Sequence, residues 1–255
     1  MGIALSVVVP AYNEEERIGS TLERMSEYLR ENIPAYEIIV VDDGSADGTA
    51  EVVEGIGSKH GNIRLIRYPR NAGKGFAVRK GVLSSTGDLL LMSDADLSTP
   101  IEELERLLPF VREGFDVVIG SRGLPESDIV MRQPWYRERM GKTFNSLVHM
   151  LAVGGIHDTQ CGFKLFRGDT AKTLFRKGLI DGFAFDVEIL ILAKKAGYRI
   201  KEVPIRWCNS PNSRVRLISD PAKMFMELLK IRVNLISGRY DLSSAALFSD
   251  TKQSD

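Results

Sequence analysis

Two hydrophobic periods alternate along the first half of the chain. Runs rich in Val, Ile and Leu at residues 5–9, 37–41, 63–67, 88–92 and 115–119 read as strands buried on both faces. Between them, residues 14–30, 48–58, 74–84 and 101–112 carry apolar positions at helical spacing. The last of these starts beside Pro100, with Thr99 placed to cap it. Strands alternating with helices predict an α/β fold, a mostly parallel sheet with helices on both faces. Ligands bind such sheets outside the carboxyl ends of the strands. Residues 10–14, 42–45, 71–74 and 93–98 all follow strands and therefore share one rim.

The second half has a different texture. Residues 121–136 are polar and contain proline, the mark of a mobile loop. Helical periodicity returns at 137–151, residues 158–166 are short and irregular, 183–196 read as a helix and 199–207 as a strand. A loop at 209–219 precedes a strongly amphipathic helix over 220–236. Its expected apolar face holds Met224, Phe225, Leu228, Leu229, Ile231 and Leu235, with Lys223, Lys230 and Arg232 around it. Packing on the sheet and contact with a bilayer surface both fit that pattern. The tail, 241–255, is rich in Ser and Asp and is expected to be disordered.

Composition narrows the class. Of 255 residues, 44% are hydrophobic and 27% charged, ordinary values for a globular domain. Lys and Arg total 34, as do Asp and Glu, so bulk charge gives no reason to expect nucleic acid as a partner. Cys161 and Cys208 cannot build a disulfide framework and read as reduced thiols in the cytoplasm. His60, His149 and His157 show no zinc spacing, so any metal falls to carboxylates. Gly2 and Ser6 fit a myristoylation pattern, yet the same residues open a buried strand. The first apolar run ends at Pro10, too early for a signal peptide, and no run approaches the ~20 apolar residues of a membrane span.

Candidate chemistry gathers on the rim. Asp94 and Asp96 leave a strand at positions i and i+2, where two carboxylates can converge on one hard cation whose other ligands come from a diphosphate. The competing reading is a pair of solvated turn acids. Asp42-Asp43-Gly44-Ser45 offers a carboxylate for a base N–H or a ribose hydroxyl, or a turn that caps the next helix. Tyr12, Asn13 and Glu14 follow the first strand, with Asn13 a candidate cap. Gly73-Lys74-Gly75 fails the dinucleotide pattern, since Val78 stands where a third glycine belongs, and Phe76 breaks the phosphate-loop pattern. Lys74 can still reach a phosphate or base from its helix N-terminus.

In this order the segments resemble the GT-A-type, inverting family 2 glycosyltransferases. The matching stretches are Val7-Val-Val-Pro-Ala-Tyr-Asn-Glu14, Ile39-Val-Val-Asp-Asp-Gly-Ser45, Asn71-Ala-Gly-Lys-Gly75, Ser93-Asp-Ala-Asp-Leu97 and Gly120-Ser-Arg122. His157-Asp-Thr-Gln-Cys-Gly-Phe-Lys-Leu-Phe166 and Phe183-Ala-Phe-Asp-Val-Glu188 resemble the dolichyl-phosphate β-glucosyltransferase branch. The resemblance implies one GT-A domain over residues 1–240, with a nucleotide-sugar-binding half at 1–122 and an acceptor half at 123–240. It implies that Pro10, Tyr12, Glu14, Asp42, Asp43, Lys74 and Asp94 surround a UDP-sugar, with Arg214 closing over the diphosphate. Asp94 and Asp96 would hold Mg²⁺ or Mn²⁺; Ser98 stands where mannose synthases of the group carry a metal-binding Gln. Arg122 with one of Arg132, Arg137 or Arg139 would hold the phosphate of a polyprenyl or dolichyl acceptor. Asp186 and Glu188 occupy the region where hydroxyl-accepting relatives keep a base, and Asp158 and Gln160 are further candidates. Asp96, Arg122 and Asp186 form the expected catalytic group. The implied enzyme works peripherally at the cytoplasmic face of a membrane.

Overall fold

The computed structural model describes residues 4–131, 155–208 and 219–240. Five strands of the first half form as the pattern predicts: β1 (Leu5–Ala11), β2 (Tyr36–Asp43), β3 (Ile63–Tyr68), β4 (Leu89–Met92) and β5 (Val117–Ser121). Helices α1 (Glu15–Asn32), α2 (Thr49–His60), α3 (Lys74–Ser84) and α4 (Leu104–Arg112) lie between them. Thr99 does not cap a helix. A 3₁₀ turn, Ile101–Glu103, starts after Pro100 and leads into α4.

Beyond residue 121 come β6 (Asp128–Met131), β7 (Lys164–Arg167), α5 (Gly168–Lys177), α6 (Phe185–Lys195), β8 (Ile200–Pro204), β9 (Arg206–Cys208) and α7 (Ser219–Ile236). Three differences from the sequence pattern stand out. The stretch read as a loop contains β6. The single strand expected at 199–207 is two: β8 joins the main sheet, while β9 pairs with β6 in a separate ribbon. β8 ends at Pro204 and β9 starts at Arg206, with Ile205 N donating to Ser121 O between them. Helix α5 was not anticipated. The expected helix at 137–151, most of the loop at 209–219 and the tail from 241 lie outside the described residues.

The seven-stranded sheet runs β3-β2-β1-β4-β7-β5-β8. Every pairing is parallel except the two made by β7, which is antiparallel to β4 and to β5. From β1 the order runs outward through β2 to β3 on one side and through β4 on the other. This reversal leaves a crevice at the carboxyl ends of β1 and β4, the usual ligand position in open α/β sheets. Successive β1 residues serve opposite cores. Val7 and Val9 pack with Ile18, Leu22, Met25 and Leu29 of α1, while Val8 packs with Val78 and Val82 of α3. Each of those α1 side chains is fully buried, which contributes on the order of 1.5–3 kcal/mol.

Among the described residues no helix is long and apolar enough to cross a membrane. Helix α7 divides its apolar residues between two sides. Met224, Leu228 and Ile231 are buried, with Leu235 packed beside them, whereas Phe225, Met226, Leu229, Val233 and Ile236 are exposed. The single broad face expected from the sequence is therefore two faces.

Candidate active site

The first two rim loops hold each other in place. Asn13 adopts a left-handed backbone, φ 55°, a conformation asparagine tolerates better than most residues. Its N–H donates to Ser45 Oγ at 2.8 Å, and its Oδ1 accepts from Ala46 N at 2.8 Å. It ties two loops together instead of capping α1. Glu14 N donates to Thr49 Oγ1 at 2.8 Å, and the buried Glu14 carboxylate pairs with Arg17. Tyr12 is exposed beside this frame and Pro10 is half-buried.

Asp42 and Asp43 are both buried at the end of β2, yet they do different work. Asp43 accepts from Ala72 N at 2.9 Å and from Gly73 N at 2.7 Å, fixing the loop before α3. Burial pushes its carboxyl up, against the pull of those two amides. Asp42 Oδ1 accepts from Ser45 N at 3.0 Å. Its Oδ2 is buried with no hydrogen-bond partner, 3.5 Å from Arg67 Nε. A buried carboxylate oxygen in that condition is costly unless a ligand satisfies it.

Across the crevice, Lys74 Nζ lies 2.7 Å from Asp94 Oδ1. Asp96 Oδ1 accepts from Ser98 N at 3.0 Å, and its Oδ2 is 3.9 Å from Arg17 Nη1. Leu97 has φ 47°, which bends the segment just after the acids. Thr21 Oγ1 donates to Ala95 O at 2.7 Å and pins the turn to α1. Gly162 lies against the Asp94 carboxylate so closely that a Cβ there would overlap it. Burial raises the Asp94 carboxyl, but Lys74, with Lys164 and Arg122 beyond, outweighs it and holds the group below its ordinary value.

Behind this pair lie two more ion pairs. Arg122 Nε and Nη2 meet Asp158 Oδ2 and Oδ1 at 2.6 and 2.9 Å, and Arg122 N also donates to Asp158 at 3.0 Å. The Trp207 ring covers the guanidinium at 5.5 Å. This fork grips a carboxylate of the chain itself, so a phosphate could not take both its teeth without displacing Asp158. Glu202 in turn accepts from His157 N and Asp158 N, at 2.9 and 2.8 Å. Burial raises the Cys161 thiol to about 11, so it is no thiolate at neutral pH.

The second pair is one the sequence reading missed. Lys164 is fully buried, its Nζ 2.5 Å from Asp186 Oδ1 and donating to Cys161 O. It opens β7 opposite Met92 and Ile119, at the carboxyl ends of β4 and β5. One signal was available: a lone lysine inside Gly162-Phe-Lys-Leu-Phe166, an otherwise apolar stretch. Burial lifts the Asp186 carboxyl, with Lys164 and Lys74 opposing. Glu188 belongs elsewhere. It accepts from Leu179 N, Ile180 N and Tyr240 Oη, which makes it an internal brace.

The structure thus brings Lys74, Asp94, Asp96, Arg122, Asp158, Lys164 and Asp186 to one end of the sheet. Arg132, Arg137, Arg139 and Arg214 lie outside the described residues. Among the described residues no three acids, histidines or cysteines gather as a metal cage. Two carboxylates with oxygen donors still fit Mg²⁺ or Mn²⁺, which commonly take one or two carboxylates and fill the shell with phosphate oxygens and water.

A mostly parallel sheet with this switch point and two acids at its mouth is an α/β architecture of the GT-A type. Glucosyl-3-phosphoglycerate synthase from Mycobacterium tuberculosis, solved with Mn²⁺ and uridine-diphosphate-glucose, shares the fold, with a TM-score of 0.65 and 20% identity over 90% of this chain and 79% of that one. Residues 6–175 match the Glycosyl transferase family 2 model, and the chain belongs to that family. It is 39% identical over 254 residues to dolichyl-phosphate beta-glucosyltransferase of Dictyostelium discoideum, covering 95% of this chain and 78% of the relative. The Homo sapiens enzyme of the same name is 36% identical over 251 residues, covering 93% and 78%.

Proposed function

We propose that this glycosyltransferase moves glucose from UDP-glucose to a polyprenyl or dolichyl phosphate with inversion, giving a β-linked lipid-phosphate sugar. The observation that carries the reading is the match, over nearly the whole chain, to relatives named dolichyl-phosphate beta-glucosyltransferase. In this reading residues 1–122 hold the donor and 123–240 the acceptor.

Asp42 Oδ2, buried without a hydrogen-bond partner and 3.5 Å from Arg67 Nε, accepts from the uracil N–H or a ribose hydroxyl, while Asp43 keeps the neighbouring loop in shape. Pro10, Tyr12 and Glu14 line the nucleoside side. Asp94 and Asp96 hold Mg²⁺ or Mn²⁺, whose chemistry is to offset the charge that builds on the departing diphosphate. The Mn²⁺ and UDP-glucose complex of the M. tuberculosis relative in fold supports that choice of cofactor. Lys74 and Arg214 serve the diphosphate.

A phosphate acceptor is already anionic near neutral pH, so it needs positioning more than deprotonation. Arg122, Arg132, Arg137 and Arg139 supply the positive charge, Arg122 from within its clasp with Asp158. Asp186, held by Lys164, orients the sugar. The exposed stripe Phe225, Met226, Leu229, Val233 and Ile236 on α7, with exposed Lys223 and Lys230 near one edge, suits an anionic bilayer surface at the cytoplasmic side.

The test is transfer of labelled sugar to vesicles carrying polyprenyl phosphate, with UDP-glucose, UDP-galactose, GDP-mannose and UDP-GlcNAc offered separately. The expected product is a lipid-phosphate glucose from UDP-glucose. Preference for GDP-mannose would overturn the donor assignment, and transfer only to soluble sugars would overturn the acceptor.

A further inference from the structure

We propose that Lys74 is a tethered counter-ion that makes metal and nucleotide bind cooperatively. Its ammonium must leave Asp94 before a divalent cation can take that carboxylate, and a nucleoside diphosphate gives the ammonium its next partner. The inference rests on the reading of Asp94 and Asp96 as metal ligands and adds to it an energetic coupling.

Each acid of the pair faces a cation that the chain itself supplies. Lys74 Nζ is 2.7 Å from Asp94 Oδ1, and Arg17 Nη1 is 3.9 Å from Asp96 Oδ2. The two cations are held differently. Arg17 is clasped by Glu14, with Nη2 2.7 Å from Oε1. Lys74 ends a flexible four-carbon stem and is partly exposed. The backbone beneath it is fixed. Gly73, at φ 116°, touches the Asp181 carbonyl so closely that no Cβ fits, and Gly75 is pressed against Ile180 and Phe185. Movement is therefore left to the Lys74 side chain.

Consider the ligands one at a time. A cation alone has to compete with an ammonium already on Asp94, and the displaced ammonium is left with Asp186, whose Oδ1 is already taken by Lys164. A diphosphate alone meets Lys74, but it also meets two carboxylates at close range. Together, the cation compensates Asp94 and Asp96, and the phosphates receive Lys74. The advantage of joint arrival is a coupling free energy, so each ligand must tighten the other by the same factor.

The experiment measures Mn²⁺ binding to the full chain by electron paramagnetic resonance of the free ion, with and without saturating UDP. Couplings of this kind run to roughly 5–150-fold, and the wild type should bind Mn²⁺ at least about tenfold tighter with UDP present. Lys74→Met and Lys74→Gln should bind Mn²⁺ without UDP more tightly than wild type, and the tightening by UDP should shrink to the part that phosphate ligation of the metal supplies by itself. Lys74→Arg, which keeps the charge, should retain the coupling. If the wild type binds Mn²⁺ with UDP but neither neutral variant binds it more tightly alone, the counter-ion role is wrong. If the wild type binds no Mn²⁺ even with UDP, the metal assignment of Asp94 and Asp96 falls, and the inference falls with it.

Discussion

The rim loops of the first half and the strand β7 region of the second hold most of their charges differently. On the rim three acids accept from backbone amides, Asp42 from Ser45, Asp43 from Ala72 and Gly73, and Asp96 from Ser98, while Asp94 and Glu14 are paired with Lys74 and Arg17. Around β7 the charges hold one another, Arg122 with Asp158 and Lys164 with Asp186. An acid bonded to an amide shapes a loop and can leave one oxygen without a hydrogen bond, as at Asp42. A buried ion pair instead makes two distant segments depend on each other, because losing either partner strands a charge. Variants in the two regions should therefore fail differently, one in activity with the fold intact and the other in both.

The largest effect should come from the rim. Asp96→Asn removes a carboxylate proposed to hold the cation, and activity should fall by about 10²-fold or more with melting temperature nearly unchanged. Full activity in this variant, or in excess EDTA, would break the assignment.

The β7 region should lose stability first. Lys164→Met leaves Asp186 buried and unpaired, which should cost about 3–5 kcal/mol in chemical denaturation. The double variant Lys164→Met/Asp186→Asn should recover most of that loss. If activity returns with it, the pair is a brace; the account here expects kcat to stay low, because Asp186 is assigned to the sugar.

Asp42 and Asp43 sharpen the comparison inside one loop. Asp42→Asn should raise the donor KM roughly tenfold and leave stability alone, since it weakens a charge-assisted contact to a ligand. Asp43→Asn should lower the melting temperature, because one of its two amide contacts turns repulsive. Reversed outcomes would exchange the two roles. The smallest effect belongs to α7. Leu229→Ser with Val233→Ser should weaken binding to anionic vesicles by roughly tenfold through lost apolar burial, while turnover of a short, water-soluble prenyl phosphate stays the same.

How much of this could be read from the chain follows the same division. The rim was legible because strand ends in a parallel sheet fix where loops gather, so Asp42, Lys74, Asp94 and Asp96 could be placed before any coordinates. What separates Asp42 from Asp43 was not, since an unpartnered oxygen is a fact of tertiary packing. The direction of β7 was hidden too. Strand direction depends on the path by which the chain re-enters the sheet, and no local pattern encodes it. Lys164 stands out as a lone lysine among apolar residues, but its partner Asp186 is 22 residues away and no local pattern joins them, and the split at Ile205 falls in a run that reads as one strand. The two faces of α7 were merged because Phe225 and Leu229 differ from Met224 and Leu228 only in what packs against them.

Glucosylation of a lipid phosphate is decided by where the label from the donor goes. Purified protein, Mn²⁺ and labelled UDP-glucose are incubated with vesicles that contain polyprenyl phosphate and with matched vesicles that lack it. The account predicts a labelled lipid product, sensitive to mild acid, only in the first set. Equal release of free glucose from both sets, with no labelled lipid in either, would contradict it.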